Sequence, residues 1–143
     1  EADLTSVQDA YASLPFEATV LPFIENIDEV YARADLIVCR AGASTIAEIT
    51  AFGKAAVLVP YSYAANDHQR WNAQFLSKRG AAEILLERCA TGDKMATLIR
   101  DLFRDRNRLE GLGKEAARLG RFDAAKRIVD ECYELVNSNH QSS

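Results

Sequence analysis

Short apolar runs alternate along the chain with segments whose apolar residues recur every three or four positions. The runs Leu36–Cys39, Ala55–Val59 and Ala82–Leu86 are almost entirely apolar, as expected of parallel strands buried on both faces. Each run is followed by a short loop and then by a helical pattern. This order predicts an α/β fold, a Rossmann-like parallel sheet with flanking helices, in which ligands bind outside the carboxyl ends of the strands.

Capping residues mark the ends of the predicted helices. Asn26 precedes one helix, and Gly53 and Gly80 follow two others, positions at which these residue types stabilise helix ends. Ala18–Leu21 is a further, short strand candidate. The predicted helices are Asp3–Leu14, the segment after Asn26, Ser44–Phe52, Asp67–Arg79 and the chain from Thr91 onward, with breaks near Asp105 and Gly120 and a disordered tail over 137–143.

The bulk properties narrow the class of protein. With 143 residues, 48% of them apolar, the chain is long enough for one domain with its own core. A net charge of -4 argues against a nucleic-acid partner, and no apolar run is long enough to span a membrane. Cys39, Cys89 and Cys132 are odd in number and widely spaced, which favours reduced core thiols in a cytosolic protein. Because the chain begins with Glu1 rather than Met, we expect that either a tag or a longer N-terminal region has been removed.

The loop after the first predicted strand has the chemistry of an anion site. Arg40–Ala43 connects a buried strand to a helix N-terminus, where unpaired backbone N–H groups and the positive end of the helix dipole attract anions. Gly42 and the neighbouring alanines keep the backbone accessible to a phosphate, and Ser44 and Thr45 add hydroxyl donors.

Two interpretations of this loop stay open on local chemistry alone. Thr45 and Glu48 have the spacing of a capping box, which needs no ligand. Glu48 also lies where a carboxylate can accept hydrogen bonds from a ribose diol. Ser44 is not expected to be a nucleophile, because the segment lacks the second glycine of a nucleophile elbow.

A second polar segment follows the second predicted strand. Asn66, Asp67, His68 and Gln69 can hydrogen-bond the hydroxyls of a sugar, although such a cluster is also typical of helix capping. The other histidine, His140, is close to the C-terminus, and no grouping of ligand residues predicts a metal site or a cofactor.

Together the two segments resemble the MurG family of bacterial glycosyltransferases. The resemblance is carried by Phe23-Ile24, Ala34-Asp35, Cys39–Glu48, Gly53, Val59-Pro60, Asp67–Ala73 and Leu119–Ala125. Members of this family have two Rossmann-like domains, the GT-B arrangement, and transfer N-acetylglucosamine (GlcNAc) from UDP-GlcNAc to lipid I. The product, lipid II, is a precursor of peptidoglycan, so the family serves cell-wall synthesis and, through it, cell shape and division.

The resemblance implies that residues 1–136 are the UDP-GlcNAc-binding C-terminal domain of such an enzyme, lacking its first strands. The lipid I site and the catalytic base would belong to an N-terminal domain that is not in this sequence, so no catalytic residue is assigned here. The implied substrate-binding residues are Phe23 and Ile24 for uracil, Ala43, Ser44 and Thr45 for the diphosphate (with Ile46 and Ala47 in the same helical turn), Glu48 for the ribose, His68 and Gln69 for GlcNAc, Asn72 as support for that loop, and Arg40 and Gly42 for the shape of the turn.

For the whole enzyme the resemblance implies an inverting transfer without metal, at the cytoplasmic face of the bacterial inner membrane with peripheral contact only. The fragment alone is expected to bind its donor weakly and not to turn over. Two alternatives stay open. One is a nucleotide-sugar-binding subunit that depends on a membrane partner, of the small eukaryotic type. The other is a non-catalytic α/β domain whose polar loops serve only capping and packing.

Overall fold

The computed structural model describes residues 2–62 and 67–140, and these divide into two compact units, Glu1–Val30 and Tyr31–Ser143. Within the described residues there are three strands, seven α-helices and one short 3-10 turn. The elements are α1 (Ala2–Ala12), α2 (Ile27–Arg33), β1 (Leu36–Cys39), α3 (Ala43–Phe52), β2 (Ala55–Leu58), α4 (His68–Ser77), β3 (Glu83–Ile84), the 3-10 turn Glu87–Cys89, α5 (Gly92–Arg104), α6 (Arg106–Leu119) and α7 (Ala124–His140).

The first unit consists of α1, an extended segment and the start of α2. The strand predicted at Ala18–Leu21 is wrong, because this segment pairs with no other strand. The side chain of Gln8 donates a 3.4 Å hydrogen bond from Nε2 to its backbone at Val20 O. A strand needs a neighbouring strand for its backbone groups, and the described part of this unit contains none. Tyr11 and Phe16 meet edge to face, with ring centroids 6.3 Å apart.

The second unit is built on a parallel sheet in the order β1-β2-β3, with Val38 beside Val57 and Leu58 beside Ile84. The predicted parallel sheet is therefore confirmed, but two details of it are wrong. The third strand was expected to be buried on both faces, but it lies at an edge of this sheet and is only partly buried. The same holds for β1, since Val38 is 45% exposed. Only β2, which has a strand on each side and helices on both faces, is fully buried.

The two faces of β2 pack against different helices. Ala56 and Leu58 point into a core formed with α3 and α4, where Ile49 and Leu76 are fully buried. Val57 and its neighbour Ala55 face the opposite side, where they pack against leucines of α5 and α6. This alternation follows from the period-two geometry of a strand, and it gives the Rossmann-like arrangement of helices on both faces.

The helices α5 and α6 begin after the capping residues that the sequence pattern indicated, Thr91 and Asp105. The side chain of Thr91 accepts a hydrogen bond from the backbone of the first turn of α5, and Asp105 does the same for α6. Gly120 ends α6, as expected. The predicted disordered tail is partly helical, because α7 continues to His140; residues 141–143 lie outside the described residues.

The helix α6 approaches the end of α3 at the level of the backbone. Gly53 ends α3 in the left-handed conformation, with φ 59°, which a glycine adopts without steric cost. A Cβ atom at Gly113 of α6 would lie 2.8 Å from the carbonyl oxygen of Gly53. Only a glycine at 113 allows this contact, through which α6 packs closely against the connection from α3 to β2.

The three cysteines differ in their exposure to solvent. Cys39 and Cys89 are partly buried, whereas Cys132 on α7 is exposed, so the prediction of a core thiol is wrong for Cys132. Its helix exposes several apolar side chains, which is why the sequence pattern suggested burial.

Across the described ranges, no helix combines the length and the hydropathy needed to cross a bilayer.

Candidate functional site

The helix α3 begins without a side-chain cap at the carboxyl end of β1. Its N-cap is Gly42, which has extended backbone angles and makes no side-chain hydrogen bond. The first bond within the helix runs from Ile46 N–H to Gly42 O, at 3.0 Å. The N–H groups of residues 43–45 therefore precede the intrahelical ladder, which is the arrangement that attracts anions. Ile46, which resemblance placed in the binding turn, already uses its N–H in the helix.

The surface over this first turn is open. Ala43 and Ser44 are exposed, whereas Ala41 beneath them is fully buried. A Cβ atom built on Gly42 would meet nothing closer than Thr45 Oγ1, at 3.7 Å. Since φ at Gly42 is -66°, neither the backbone conformation nor the packing of the fold requires a glycine there. The small residue instead leaves space above the turn.

Glu48 is held by a tyrosine and does not cap the helix. Because α3 starts at Ala43, Thr45 is inside the first turn, and the capping-box interpretation of Thr45 and Glu48 is wrong. The carboxylate Oε2 of Glu48 instead accepts a 2.9 Å hydrogen bond from the hydroxyl of Tyr31. Tyr31 is only 7% exposed, and its ring stacks on Phe52 with centroids 5.5 Å apart. This contact was not predicted from the sequence.

Two pKa shifts follow from this arrangement. Burial, reinforced by the hydrogen bond to Glu48, raises the pKa of Tyr31 well above its usual range. The phenol therefore stays protonated and remains a donor. Burial and the nearby charge of Glu48 raise the pKa of the Cys39 thiol to about 11, so this cysteine at the end of β1 is not a nucleophile at neutral pH.

An ion pair joins the loops at the carboxyl ends of all three strands. Arg40 donates to Val59 O at 3.2 Å and to Glu87 Oε1 at 2.5 Å. The other carboxylate oxygen of Glu87 accepts from the backbone N–H of Ser62 at 2.9 Å. The Ser62 N–H and then the Arg40 guanidinium hold the pKa of Glu87 below its usual range. Arg40 thus shapes the edge of the site through Glu87, a residue that the sequence did not single out.

The helix α4 uses its polar residues to hold both loops. Gln69 Oε1 accepts from the backbone N–H of Tyr61 at 2.9 Å, and Asn72 Nδ2 donates to Ala41 O at 3.0 Å. His68 is exposed at the first turn of this helix. The expected contribution of Asn66, and the tip of the same loop at 63–65, lie outside the described residues.

The start of α4 is not capped by a side chain either. Asp67 occupies the N-cap with a positive φ of 57° and without a side-chain cap, and its carboxylate lies 3.6 Å from Arg70. The alternative that the polar cluster serves helix capping therefore does not hold for Asp67. A cavity of about 320 Å³ opens beside it, lined by Pro60, Tyr61, Ser62, Asp67, Arg70, Leu86 and Arg88.

The two residues expected to border a uracil belong to the first unit. Phe23 is 77% exposed and Ile24 36% exposed, and both lie in the extended segment before α2. Their role stays a prediction. Over the part of the chain that is described, no three His, Cys, Asp or Glu side chains group as metal ligands.

A parallel sheet with helices on both sides, and with an uncapped helix N-terminus at its carboxyl edge, defines a Rossmann-like α/β domain, a class in which ligands bind at that edge. Residues 1–128 match the model of the glycosyltransferase family 28 C-terminal domain, and the chain belongs to that family. A crystal structure of MurG from Acinetobacter baumannii superposes with a TM-score of 0.86 and is 36% identical, covering 94% of this chain and 39% of that one. The fold is therefore that of the C-terminal part of a GT-B glycosyltransferase, as the resemblance implied.

Curated relatives agree with this assignment. The chain is 49% identical over 136 residues to the UDP-N-acetylglucosamine–N-acetylmuramyl-(pentapeptide) pyrophosphoryl-undecaprenol N-acetylglucosamine transferase of Trichlorobacter lovleyi, which covers 95% of this chain. The protein of the same name from Myxococcus xanthus is 46% identical over 134 residues and covers 94% of this chain. The chain spans 36% and 35% of the length of these two relatives.

Proposed function

We propose that the chain is the donor-binding part of an inverting glycosyltransferase that transfers GlcNAc from UDP-GlcNAc to lipid I, forming lipid II. The relatives are named for transfer of N-acetylglucosamine to a pyrophosphoryl-undecaprenol acceptor, which gives the substrate classes. The observation that carries the proposal is the start of α3, where exposed first-turn N–H groups have no side-chain cap. The acceptor and the catalytic base belong to the rest of the enzyme, which acts peripherally at the cytoplasmic face of the inner membrane.

In this proposal the donor diphosphate binds over the first turn of α3. The N–H groups of residues 43–45 and the hydroxyl of Ser44 donate to the phosphate oxygens, and the helix dipole adds positive potential. When the acceptor hydroxyl attacks the anomeric carbon, the bond to the diphosphate breaks and negative charge accumulates on the leaving UDP. Donors fixed before the reaction stabilise that charge, which is the largest contribution such a site makes to catalysis.

Other residues are proposed to bind the remaining parts of the nucleotide sugar. Glu48 is one helical turn further along α3, about 5.4 Å, and accepts from the ribose hydroxyls. The amide oxygen of Gln69 is occupied by Tyr61 N–H, so Gln69 serves the sugar through its NH₂ group, with His68 beside it. Phe23 and the backbone of Ile24 contact the uracil.

The test is calorimetric titration of the complete protein, as it is encoded, with UDP-GlcNAc and UDP-glucose. UDP-GlcNAc is expected to bind more tightly than UDP-glucose. In Gly42→Ala the added methyl group extends over the first turn of α3, so affinity for both should fall about tenfold or more, as expected for one or two lost hydrogen bonds. Gly92→Ala is the matched control, because a Cβ there meets no atom within 4 Å.

Two results would count against the proposal. Absence of binding heat with either nucleotide sugar would remove the glycosyltransferase assignment. If Gly42→Ala binds as tightly as Gly92→Ala, the diphosphate does not lie over α3.

A further inference from the structure

Tyr31 is a buried residue whose hydroxyl contacts the side chain of Glu48 in the proposed donor site, and it has no role in the proposal so far. Its hydroxyl lies 2.9 Å from Glu48 Oε2, and the two residues are 17 positions apart in the sequence. The contact brings the end of α2 against the second turn of α3.

Both ends of the tyrosine side chain are fixed. The ring is stacked on Phe52 with an interplanar angle of 27°, and the hydroxyl is bound to Glu48. Phe52 is on the same helix as Glu48, one turn further on. Two residues of α3 therefore contact Tyr31: Phe52 stacks on its ring, and the Glu48 carboxylate accepts from its hydroxyl. A glutamate side chain has three rotatable bonds, and this contact restricts them before any ligand arrives.

We propose that Tyr31 is a positioning residue that sets Glu48 for two-point recognition of a ribose diol; this rests on the proposed function, in which Glu48 binds the ribose. A carboxylate accepts at about four positions on its two oxygens, and Tyr31 takes one of those on Oε2. Oε1 and the second position of Oε2 then accept from the two vicinal hydroxyls. Without Tyr31 the carboxylate samples other rotamers and has to be ordered at the expense of binding free energy.

The direction of the hydrogen bond suits this task. Ribose hydroxyls and the tyrosine hydroxyl are all donors towards an ionised carboxylate, so they bind together without competing for a proton. Because burial raises the pKa of Tyr31, the phenol keeps its proton over the pH range in which proteins function. A nucleotide that lacks the diol cannot use the positioned oxygens, so the arrangement favours ribonucleotides.

The experiment compares UDP with 2′,3′-dideoxy-UDP on the complete protein, using wild type, Tyr31→Phe and Glu48→Gln. Tyr31→Phe is expected to weaken UDP about three- to tenfold, the effect of one orienting hydrogen bond to a charged group, and to leave dideoxy-UDP within about twofold. In the Glu48→Gln background the same substitution should have a smaller effect on UDP. Tyr133→Phe, on an exposed tyrosine of α7, is the matched control.

The outcomes separate this inference from the proposed function. If wild type binds the two nucleotides equally, Glu48 does not read the diol, and the proposed ribose contact is wrong. If wild type discriminates and Tyr31→Phe discriminates equally well, the ribose contact stands and the role of Tyr31 is wrong. If Tyr31→Phe weakens both nucleotides by the same factor, Tyr31 is a packing residue only. Thermal unfolding of each variant verifies that the compared proteins are folded.

Discussion

The side-chain amide of Gln69 has its oxygen in a hydrogen bond within the fold, and its NH₂ group is proposed to bind the sugar. Its oxygen accepts from the backbone N–H of Tyr61, which orients the NH₂ group. Gln69→Glu keeps an acceptor for Tyr61 and removes both N–H donors. We therefore expect the preference for UDP-GlcNAc over UDP-glucose to fall about tenfold, while UDP alone binds within about twofold of wild type, since one or two hydrogen bonds to the sugar are lost. Competition titrations measure both quantities.

The control for this substitution is Lys78→Ala, an exposed change near the end of the same helix. Unchanged sugar preference in Gln69→Glu would show that the NH₂ group does not face the donor. A parallel loss of UDP affinity would instead indicate that the loop at Tyr61 had moved.

At the scale of elements, the carboxylate of Glu87 connects the loops that follow the three strands. It binds Arg40 from the loop after β1 and the Ser62 N–H from the loop after β2. Because the pKa of Glu87 is lowered in the fold, these contacts of the ionised carboxylate stabilise the fold above the ordinary carboxyl range of pH. That stabilisation is lost as the pH falls through the lowered pKa. Glu87→Gln removes the charge at neutral pH, so we expect faster hydrogen exchange at the Ser62 amide, with little change in global stability because the pair is exposed.

Glu83→Gln offers a matched comparison, since Glu83 is also paired with an arginine, Arg108, at 2.5 Å, but has no hydrogen bond to either loop. The exchange rate at Ser62 should stay at its wild-type value there. Equal rates in the two variants would mean that the ion pair does not order the loop.

The elements that the sequence predicted well are those whose signals are local. Gly53 and Asp105 end or begin helices through their own conformation or side chain, so the boundaries of α3 and α6 were predicted to within a residue or two. Strands depend on partners, which explains why Ala18–Leu21 is not a strand and why β3 has only two residues. No periodicity could have placed Tyr31 against Glu48.

The site shows the same division between local and distant information. The proposed anion site follows from a strand, a glycine and a helix start, which are neighbours in the sequence. The tie between Arg40 and Glu87 joins residues 47 positions apart, and its geometry exists only once β1, β2 and β3 lie side by side. Sequence chemistry therefore predicts a candidate phosphate site from neighbouring residues, whereas the contacts that join the three loops required the fold.

At the scale of the whole molecule, α6 approaches the end of α3 so closely that Gly113 lies against the backbone of Gly53. Gly113→Ala would place a methyl carbon 2.8 Å from the carbonyl oxygen of Gly53, which is backbone and cannot rotate away. We expect a loss of about 1–3 kcal/mol in the free energy of unfolding from overpacking, despite the higher helix propensity of alanine. Denaturant unfolding midpoints provide the measurement.

Gly111→Ala, two residues earlier on the same helix, has no atom within 4 Å of the added carbon. It should be neutral or stabilising by about 0.5–1 kcal/mol, because alanine favours the helix. The same shift in both variants would show that the close approach of the two helices is not a constraint on stability.

The thiols have a practical consequence for chemical labelling. Maleimides and haloacetamides react with thiolates, and Cys39, with a pKa of about 11, is almost entirely protonated in neutral buffer. Cys132 is exposed on α7, so a reagent reaches it first. A fluorophore attached to the unmutated chain would thus be bound to the last helix, and Cys39 at the end of β1 would keep its free thiol.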